Sequence, residues 1–167
     1  FLNIKGDKDL IEAVKKCWAS LFEPRSIYYR QTKGFDHLKV GIAVPIQEMV
    51  QSEVAGVLFT LDPVTNDKDI IDIEAGYGLG EVVVSGSINP DRYLVSKKDW
   101  QIKKKKIARQ TWTIKKVGRE NKRVLIEREN QEKQKLGDRE IVRLAKIGQR
   151  IQDHYNFPQD IEWAFDN

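Results

Sequence analysis

The sequence predicts an α+β fold with a largely antiparallel sheet and flanking helices. Helical periodicity appears in two stretches before residue 39 and in one after residue 137. Between them, residues 39–130 consist mostly of short β-branched or alternating runs separated by turn residues. Helices and strands are therefore segregated along the chain rather than alternating, which is typical of α+β proteins.

Three amphipathic helices are expected. The first should run from about residue 8 to 21, with Asp7 as its N-cap. Pro24 suits the first turn of a second helix, and Gly34 suits its end. A third helix begins at Asp138 and ends near Asn156, shortly before a proline.

The strand predictions rest on composition and alternation. Each run is rich in β-branched or aromatic residues and is bounded by Gly, Pro, Asp or Asn. The last run follows the third helix. The predicted strands lie within VGIAVPIQEMV, AGVLFTLD, DIIDIEA, DRYLVS, QIKKKKIAR, RVLIERE and DIEWAF.

Composition limits the class of protein. The 167 residues are 40% hydrophobic and 32% charged, with a net charge of +4, as in an ordinary globular domain. The single cysteine, Cys17, excludes an internal disulfide and a cysteine-based zinc site, and we expect a cytoplasmic setting. Both ends interrupt strand-like patterns, so residues 1–167 are expected to form one partial domain of a longer protein.

Residues 74–81, EAGYGLGE, place three glycines at alternate positions after a strand-like run. A dinucleotide fingerprint would need GxGxxG before a long helix, and Pro90 leaves no room for one. A backbone nest for an anion stays open as an interpretation, because glycines let successive N–H groups converge. A structural turn is the alternative, and the spacing alone favours it.

The run VPIQEMV ends in a segment that can read a purine, residues 47–50. The carbonyl of Glu48 and the N–H of Val50 suit the edge of the base, and Met49 suits its face. An ordinary hairpin with polar residues facing water is the alternative, and the local pattern favours it.

Acidic residues alternate in QDIEWAF. Asp160 and Glu162 share one face of the predicted strand, and carboxylates suit a hard cation such as Mg²⁺. Glu74 and Glu81 can approach the same place from the glycine-rich loop. The alternative is a solvent-exposed acidic face, which is common.

The run from Lys97 to Lys116 interleaves lysines with tryptophans, as single-stranded nucleic-acid binders do. It also alternates like a hairpin, and lysines protect edge strands from aggregation, so we expect a solvated hairpin. His37 and His154 are isolated, and no Ser-His-Asp or Cys-His grouping is predicted.

Three ordered motifs, AGVLFTLDPVT, IEAGYGLGEVVVSGSINPDRYLV and PQDIEWAFD, resemble the ATP-binding domain of the phosphoenolpyruvate synthase family. The wider family includes pyruvate phosphate dikinase and rifampicin phosphotransferase. FLNIKG, EAVKKCWASLF, YYR and KGFDH match the same pattern, so the resemblance covers nearly the whole chain. It implies the C-terminal portion of an ATP-grasp fold, with ATP and Mg²⁺ as cofactors.

The resemblance also implies roles for individual residues. Glu162 is the implied metal-binding carboxylate, and Glu74 joins it as the second metal candidate from the loop. Asp91 and Arg92 match a PDRY segment, for which we expect a structural role. The implied nucleotide contacts are Gln47, Glu48, Met49 and Val50 at the adenine, with Gly78, Gly80 and Glu81 beside the nucleotide.

In such an enzyme, phosphoryl passes from ATP through a phosphohistidine to pyruvate, giving phosphoenolpyruvate, AMP and phosphate. The resemblance implies that the carrier histidine, the pyruvate-binding barrel, the N-terminal subdomain and a Gln-x-Arg motif all lie outside these residues. We therefore assign no catalytic residue here, and expect the 167 residues alone to be inactive and to bind ATP weakly.

Other functions stay open at this point. An antibiotic phosphotransferase shares the nucleotide motifs and differs in its acceptor domain. A stand-alone nucleic-acid-binding module would use the lysine run, and a non-catalytic nucleotide sensor would use the ATP motifs alone. No membrane partner is expected, and nucleic acid is not a favoured one.

Overall fold

The computed structural model describes residues 1–118 and 120–166 and confirms an α+β fold with a mostly antiparallel sheet and flanking helices. The chain divides into two compact units, Phe1–Met49 and Val50–Asn167. None of the helices within the described residues is both long and apolar enough to cross a bilayer.

The first unit is helical. Gly6, with a φ of 82°, is the N-cap of its first helix, and the prediction of Asp7 as the cap was one residue late. Asp7 lies instead in the first turn, where its charge favours the positive end of the helix dipole. Gly34 ends the second helix in a left-handed conformation, as predicted. The helical elements are α1 (Asp7–Ala19), a 3-10 turn (Ser20–Phe22) and α2 (Pro24–Lys33).

The strand predicted within residues 40–50 is wrong, because residues 40–52 belong to no helix or strand. An extended segment becomes a strand only when a neighbour pairs with its backbone, and the first unit contains no strand among its described residues. Pro45 also lacks the N–H that a ladder would need.

The elements of the second unit are β1 (Val54–Phe59), β2 (Ile70–Tyr77), α3 (Glu81–Val84), β3 (Asp91–Ser96), β4 (Ile102–Lys106), β5 (Trp112–Val117), β6 (Glu120–Leu125), α4 (Asp138–Tyr155) and β7 (Asp160–Phe165). They include a five-stranded sheet with the order β4-β3-β2-β1-β7, in which all neighbours are antiparallel. A separate hairpin pairs β5 with β6. The predicted lysine hairpin is therefore split: β4 is an edge strand of the main sheet, and β5 pairs with the chain that follows it.

The core lies between α4 and one face of the main sheet. Side chains alternate along each strand, so every second residue of β1, β2 and β3 points toward the helix. The helix packs against them with an apolar stripe that includes Ile141, Leu144 and Ala145. The strand residues of this core are Leu58, Ile71, Ile73, Ala75, Tyr93 and Val95.

A buried ion pair joins β3 to the segment before α4. The Lys135 ammonium donates to Asp91 at 2.9 Å, and both side chains are fully buried. Asp91 also accepts from the Tyr93 hydroxyl at 2.6 Å and from the backbone N–H groups of Ala108 and Lys135. Burial, and then the bond to Asp91, raise the pKa of the Tyr93 hydroxyl. This network fits the structural role expected for Asp91.

Lys135→Ala should lower the free energy of unfolding by about 3–5 kcal/mol, because it leaves the Asp91 carboxylate buried without its cation. Urea unfolding of the 167-residue chain measures the effect. Lys98→Ala is the control, since it breaks an exposed pair with Asp69 and should leave stability unchanged. Equal losses for the two variants would contradict the assigned role of the buried pair.

Candidate functional site

The face of the main sheet turned away from α4 carries the acidic residues, and we call it the carboxylate face. Residues paired across neighbouring strands point to the same side of a sheet, so the strand register determines which side chains share this face. Its acidic members are Asp72 and Glu74 from β2, and Asp160 and Glu162 from β7.

Glu74 and Glu162 lie in one row across this face. Val57 of β1 pairs with Glu74 on one side and with Glu162 on the other. The two glutamates are thus two strands apart, or roughly 10 Å between Cα atoms. Glu162 is exposed and Glu74 is half-buried. The two predicted metal candidates therefore share a face, although within the described residues no three His, Cys, Asp or Glu side chains form a metal-type cluster.

Arg92 lies next to Glu74 in the same row, on β3. Its guanidinium donates to both carboxylate oxygens of Asp72, at 2.7 to 3.0 Å, and to Asp62 at 2.8 Å. This fork ties β3 to β2 and to the β1–β2 loop. It also gives two of the nearby carboxylates a shared cationic partner, and Glu74 has no such hydrogen-bonded partner among the described contacts.

The pKa values reflect this arrangement. Burial raises the pKa of the Glu74 carboxyl, Asp72 raises it further, and Arg92 opposes both. Burial also raises the pKa of Asp72, against the opposing effect of Arg92. By contrast, hydrogen bonds from the Val64 N–H and then the Thr65 hydroxyl lower the pKa of Asp62. Glu74 is thus a carboxylate whose charge is costly in the folded protein.

The glycine-rich loop is a tight turn between β2 and α3, held by hydrogen bonds of the protein itself. The Gly78 N–H donates to the Glu53 carbonyl at 2.8 Å, and the Leu79 N–H donates to the Ile114 carbonyl at 3.2 Å. Gly78 has a φ of 87°, and a Cβ there would lie 1.9 Å from Thr113 Oγ1. These contacts favour the structural interpretation for Gly78, because its N–H already has an acceptor.

Gly80 and Glu81 differ from Gly78. Gly80 has an ordinary helical φ of −56°, and a Cβ there would meet only Ala55 Cβ, at 3.7 Å. Glu81 begins α3 and is exposed. A nucleotide contact by Gly78, Gly80 or Glu81 stays a prediction.

Most of the predicted adenine segment lies in the first unit. Gln47, Glu48 and Met49 line a cavity of about 470 Å³ together with residues of α1, among them Leu10 and Val14. Val50 belongs to the second unit and is 41% exposed. The predicted contact of these four residues with adenine stays a prediction.

Sequence reasoning missed the Arg92 fork and the side chains that hold the glycine turn. The PDRY match drew attention to Arg92, but Asp62 and Asp72 lie 30 and 20 residues before it, and no local spacing links them. The Gln110 amide and the Thr113 hydroxyl hydrogen-bond to Tyr77, the residue before the turn. Both residues lie within the lysine run, where the pattern of lysines and tryptophans gives no sign of such a role.

The chain matches a known protein family. The family model of the pyruvate phosphate dikinase AMP/ATP-binding domain matches residues 1–167. The chain belongs to this family. The match supports ATP as the ligand of the chain.

Individual relatives are considerably longer than the chain. It is 48% identical to a probable phosphoenolpyruvate synthase of Methanocaldococcus jannaschii, over 99% of this chain and 14% of the relative. It is 47% identical to the phosphoenolpyruvate synthase of Pyrococcus furiosus, over 99% of this chain and 21% of the relative. A rifampicin phosphotransferase of Bacillus cereus is 43% identical, over 98% of this chain and 19% of the relative. The chain thus spans about a fifth or less of the length of these family members.

Glu74→Gln should raise the free energy of unfolding near pH 7. Because the pKa of folded Glu74 is raised, the folded state holds this proton more tightly, and wild type loses stability as pH rises from the ordinary value of 4.5 through the raised pKa of the folded state. Well below that pH the carboxyl is protonated in both states, so the advantage of the amide should vanish. Urea unfolding at several pH values measures the difference.

Glu120→Gln on the separate hairpin is the control for this comparison, because it removes an exposed carboxylate. The free energy of unfolding of this variant should not rise above that of wild type as pH increases. A Glu74→Gln effect that is independent of pH would contradict the cost assigned to its charge.

Gly78→Ala should lower the free energy of unfolding by about 3 kcal/mol, because the alanine must adopt a positive φ and its Cβ collides with Thr113. Gly80→Ala is the matched control two residues away, and its effect should stay within about 1 kcal/mol. Thermal unfolding of both variants decides the matter, and the reverse order of stabilities would refute the structural role of Gly78.

Proposed function

We propose that the chain is the ATP-binding part of a phosphoenolpyruvate synthase. The whole enzyme would transfer phosphoryl from ATP, through a phosphohistidine on another domain, to pyruvate. The family membership supports ATP as the ligand. The names of the relatives from M. jannaschii and P. furiosus support the reaction, and their greater length leaves room for the carrier and acceptor domains.

The observation that carries the proposal is the shared row of Glu74 and Glu162 on the carboxylate face. A domain that binds a polyphosphate needs a way to neutralise its charge. Two carboxylates without ion-pair partners among the described contacts do not serve a phosphate directly, since like charges repel. They would instead hold a divalent cation, whose charge would offset that of the phosphates.

Mg²⁺ fits this pair of residues. It prefers oxygen ligands, keeps several waters and is commonly held by only one or two carboxylates together with substrate phosphates, so a larger acidic cluster is not required. When bound, Mg²⁺ would neutralise charge on the phosphate oxygens during phosphoryl transfer. Glu162 is proposed as the principal ligand and Glu74 as the second.

The neighbouring residues would prepare this site for the ion. The Arg92 fork engages Asp72 and Asp62, so these two carboxylates already have a cationic partner, which the glutamates lack among the described contacts. The raised pKa of Glu74 reflects a charge that a bound cation would stabilise. Gln47, Glu48, Met49 and Val50 are proposed to contact the adenine.

The ATP-grasp architecture is also part of the proposal. It is supported by an antiparallel sheet that packs a helix on one face and presents carboxylates on the other. The second candidate function is transfer of phosphoryl to an antibiotic, because the B. cereus rifampicin phosphotransferase is nearly as similar. Incubating the full-length protein with ATP and either pyruvate or rifampicin separates the two, since only the true acceptor becomes phosphorylated.

Glu162→Gln in the full-length protein should weaken Mg·ATP binding roughly 10- to 100-fold, because the amide loses the charge that holds the cation. Titration with a non-hydrolysable ATP analogue, in the presence and absence of Mg²⁺, measures this. The loss should be confined to the titration with Mg²⁺, and turnover should fall with it.

Glu120→Gln serves as the control, because this glutamate is equally exposed but lies on the β5–β6 hairpin. Unchanged Mg·ATP affinity and turnover in Glu162→Gln would remove the proposed metal role. An equal loss of analogue binding without Mg²⁺ would also argue against it.

A further inference from the structure

Two buried polar side chains at the start of the β5–β6 hairpin hold the residue that precedes the glycine turn. Gln110 is 2% exposed and Thr113 is 1% exposed. The Gln110 amide accepts from the Tyr77 N–H at 2.8 Å and donates to the Tyr77 carbonyl at 3.1 Å. It thus pairs with Tyr77 much as the backbone of a neighbouring strand would, although no strand lies there.

The same carbonyl receives a second hydrogen bond, from the Thr113 hydroxyl. One residue beyond Gly78, the Leu79 N–H donates to the Ile114 carbonyl. The chain is therefore fixed to β5 on both sides of Gly78. We call Gln110, Thr113 and Ile114 the turn clamp.

The other support of the turn comes from the segment before β1. The Ser52 hydroxyl donates to the Gly78 carbonyl at 3.0 Å, and the Gly78 N–H donates to Glu53. This support anchors Gly78 itself. The turn clamp fixes the residues on either side of it, adding to the pairing of Tyr77 with Val54 in the sheet, and these residues determine the direction in which the chain enters α3.

The burial of polar side chains such as Gln110 and Thr113 needs a structural explanation. A buried amide and hydroxyl contribute little net stability once their loss of hydration is counted, whereas they impose a definite geometry on their partners. The geometry imposed here is that of the turn, because all three side-chain bonds to Tyr77 come from the clamp.

We infer that Gln110 and Thr113 are positioning residues, through which the β5–β6 hairpin holds the glycine turn in the arrangement that the nucleotide site uses. This inference rests on the proposed ATP-binding function. Leu79 and Val82 are buried next to the turn, and Gly80 lies against Ala55 of β1, so a displaced turn would move the start of α3 over the end of the sheet. The hairpin thereby acts on the nucleotide without touching it.

The experiment compares Thr113→Val, Gln110→Met, Thr113→Ser and Thr111→Val in the full-length protein. Thr113→Val keeps the shape of the side chain and loses the hydroxyl, and Thr113→Ser restores the hydroxyl. Thr111→Val makes the same chemical change two residues away, at an exposed position of the hairpin. Gln110→Met removes the paired bonds to Tyr77.

Two readouts separate positioning from general stability. Amide hydrogen exchange at Leu79 in the absence of nucleotide should rise roughly tenfold in Thr113→Val and Gln110→Met, the size expected for one lost buried hydrogen bond. The KM for ATP should rise roughly five- to tenfold in the same variants, while the KM for the acceptor stays unchanged. Thr113→Ser and Thr111→Val should behave as wild type in both measurements.

The outcomes are distinct. A variant that is only less stable would lower apparent kcat and leave both KM values unchanged, which would overturn the inference. Unchanged exchange at Leu79 would overturn it as well, and this arm needs no nucleotide. If wild type itself shows no ATP-dependent reaction, the proposed function fails, whereas the exchange result still decides whether the clamp fixes the turn.

Discussion

The register of β2 between β1 and β3 is the constraint on which both the core and the candidate site depend. Because side chains alternate along a strand, this one register sends Ile71 and Ile73 toward α4 and turns Asp72 and Glu74 to the opposite face. A slip by one residue would exchange the two sets, burying carboxylates in the core and exposing isoleucines. The burial of apolar residues against α4 thus positions the carboxylates, which lie on the opposite face of the sheet.

Two polar networks of different kinds reinforce this register. On the core side, the Asp91–Lys135 pair is fully buried and satisfied by surrounding N–H groups, so it fixes how β3 joins the segment before α4. On the carboxylate face, the Arg92 fork joins β3 to β2 and the β1–β2 loop. Adjacent residues of β3 therefore stabilise opposite faces of one sheet. Of the two networks, only the fork bears on the proposed site, because its hydrogen bonds go to Asp72 and Asp62 and, among the described contacts, not to Glu74.

The glycine-rich turn shows how one feature can serve structure and proposed function together. Its glycine with positive φ is explained by the close approach of β5, and its N–H is used inside the protein. The turn nevertheless determines where α3 begins over the end of the sheet. A separate hairpin, which the sequence presents mainly as a run of lysines, contributes the buried groups that hold it.

Local patterns in the sequence determined the helices α1, α2 and α4, the last strand, and the shared face of Asp160 and Glu162, because helical periodicity and strand alternation follow from backbone geometry alone. The short helix α3, which follows the glycine turn, was not among the predicted helices. The order of the motifs also indicated the family, because family membership is itself a property of the sequence. Only the tertiary structure decided that Glu74 joins Glu162 across β1, that Arg92 engages two distant aspartates, and that residues 40–52 form no strand. These outcomes depend on pairing partners far apart in the chain, and no local pattern specifies which backbone will lie beside which.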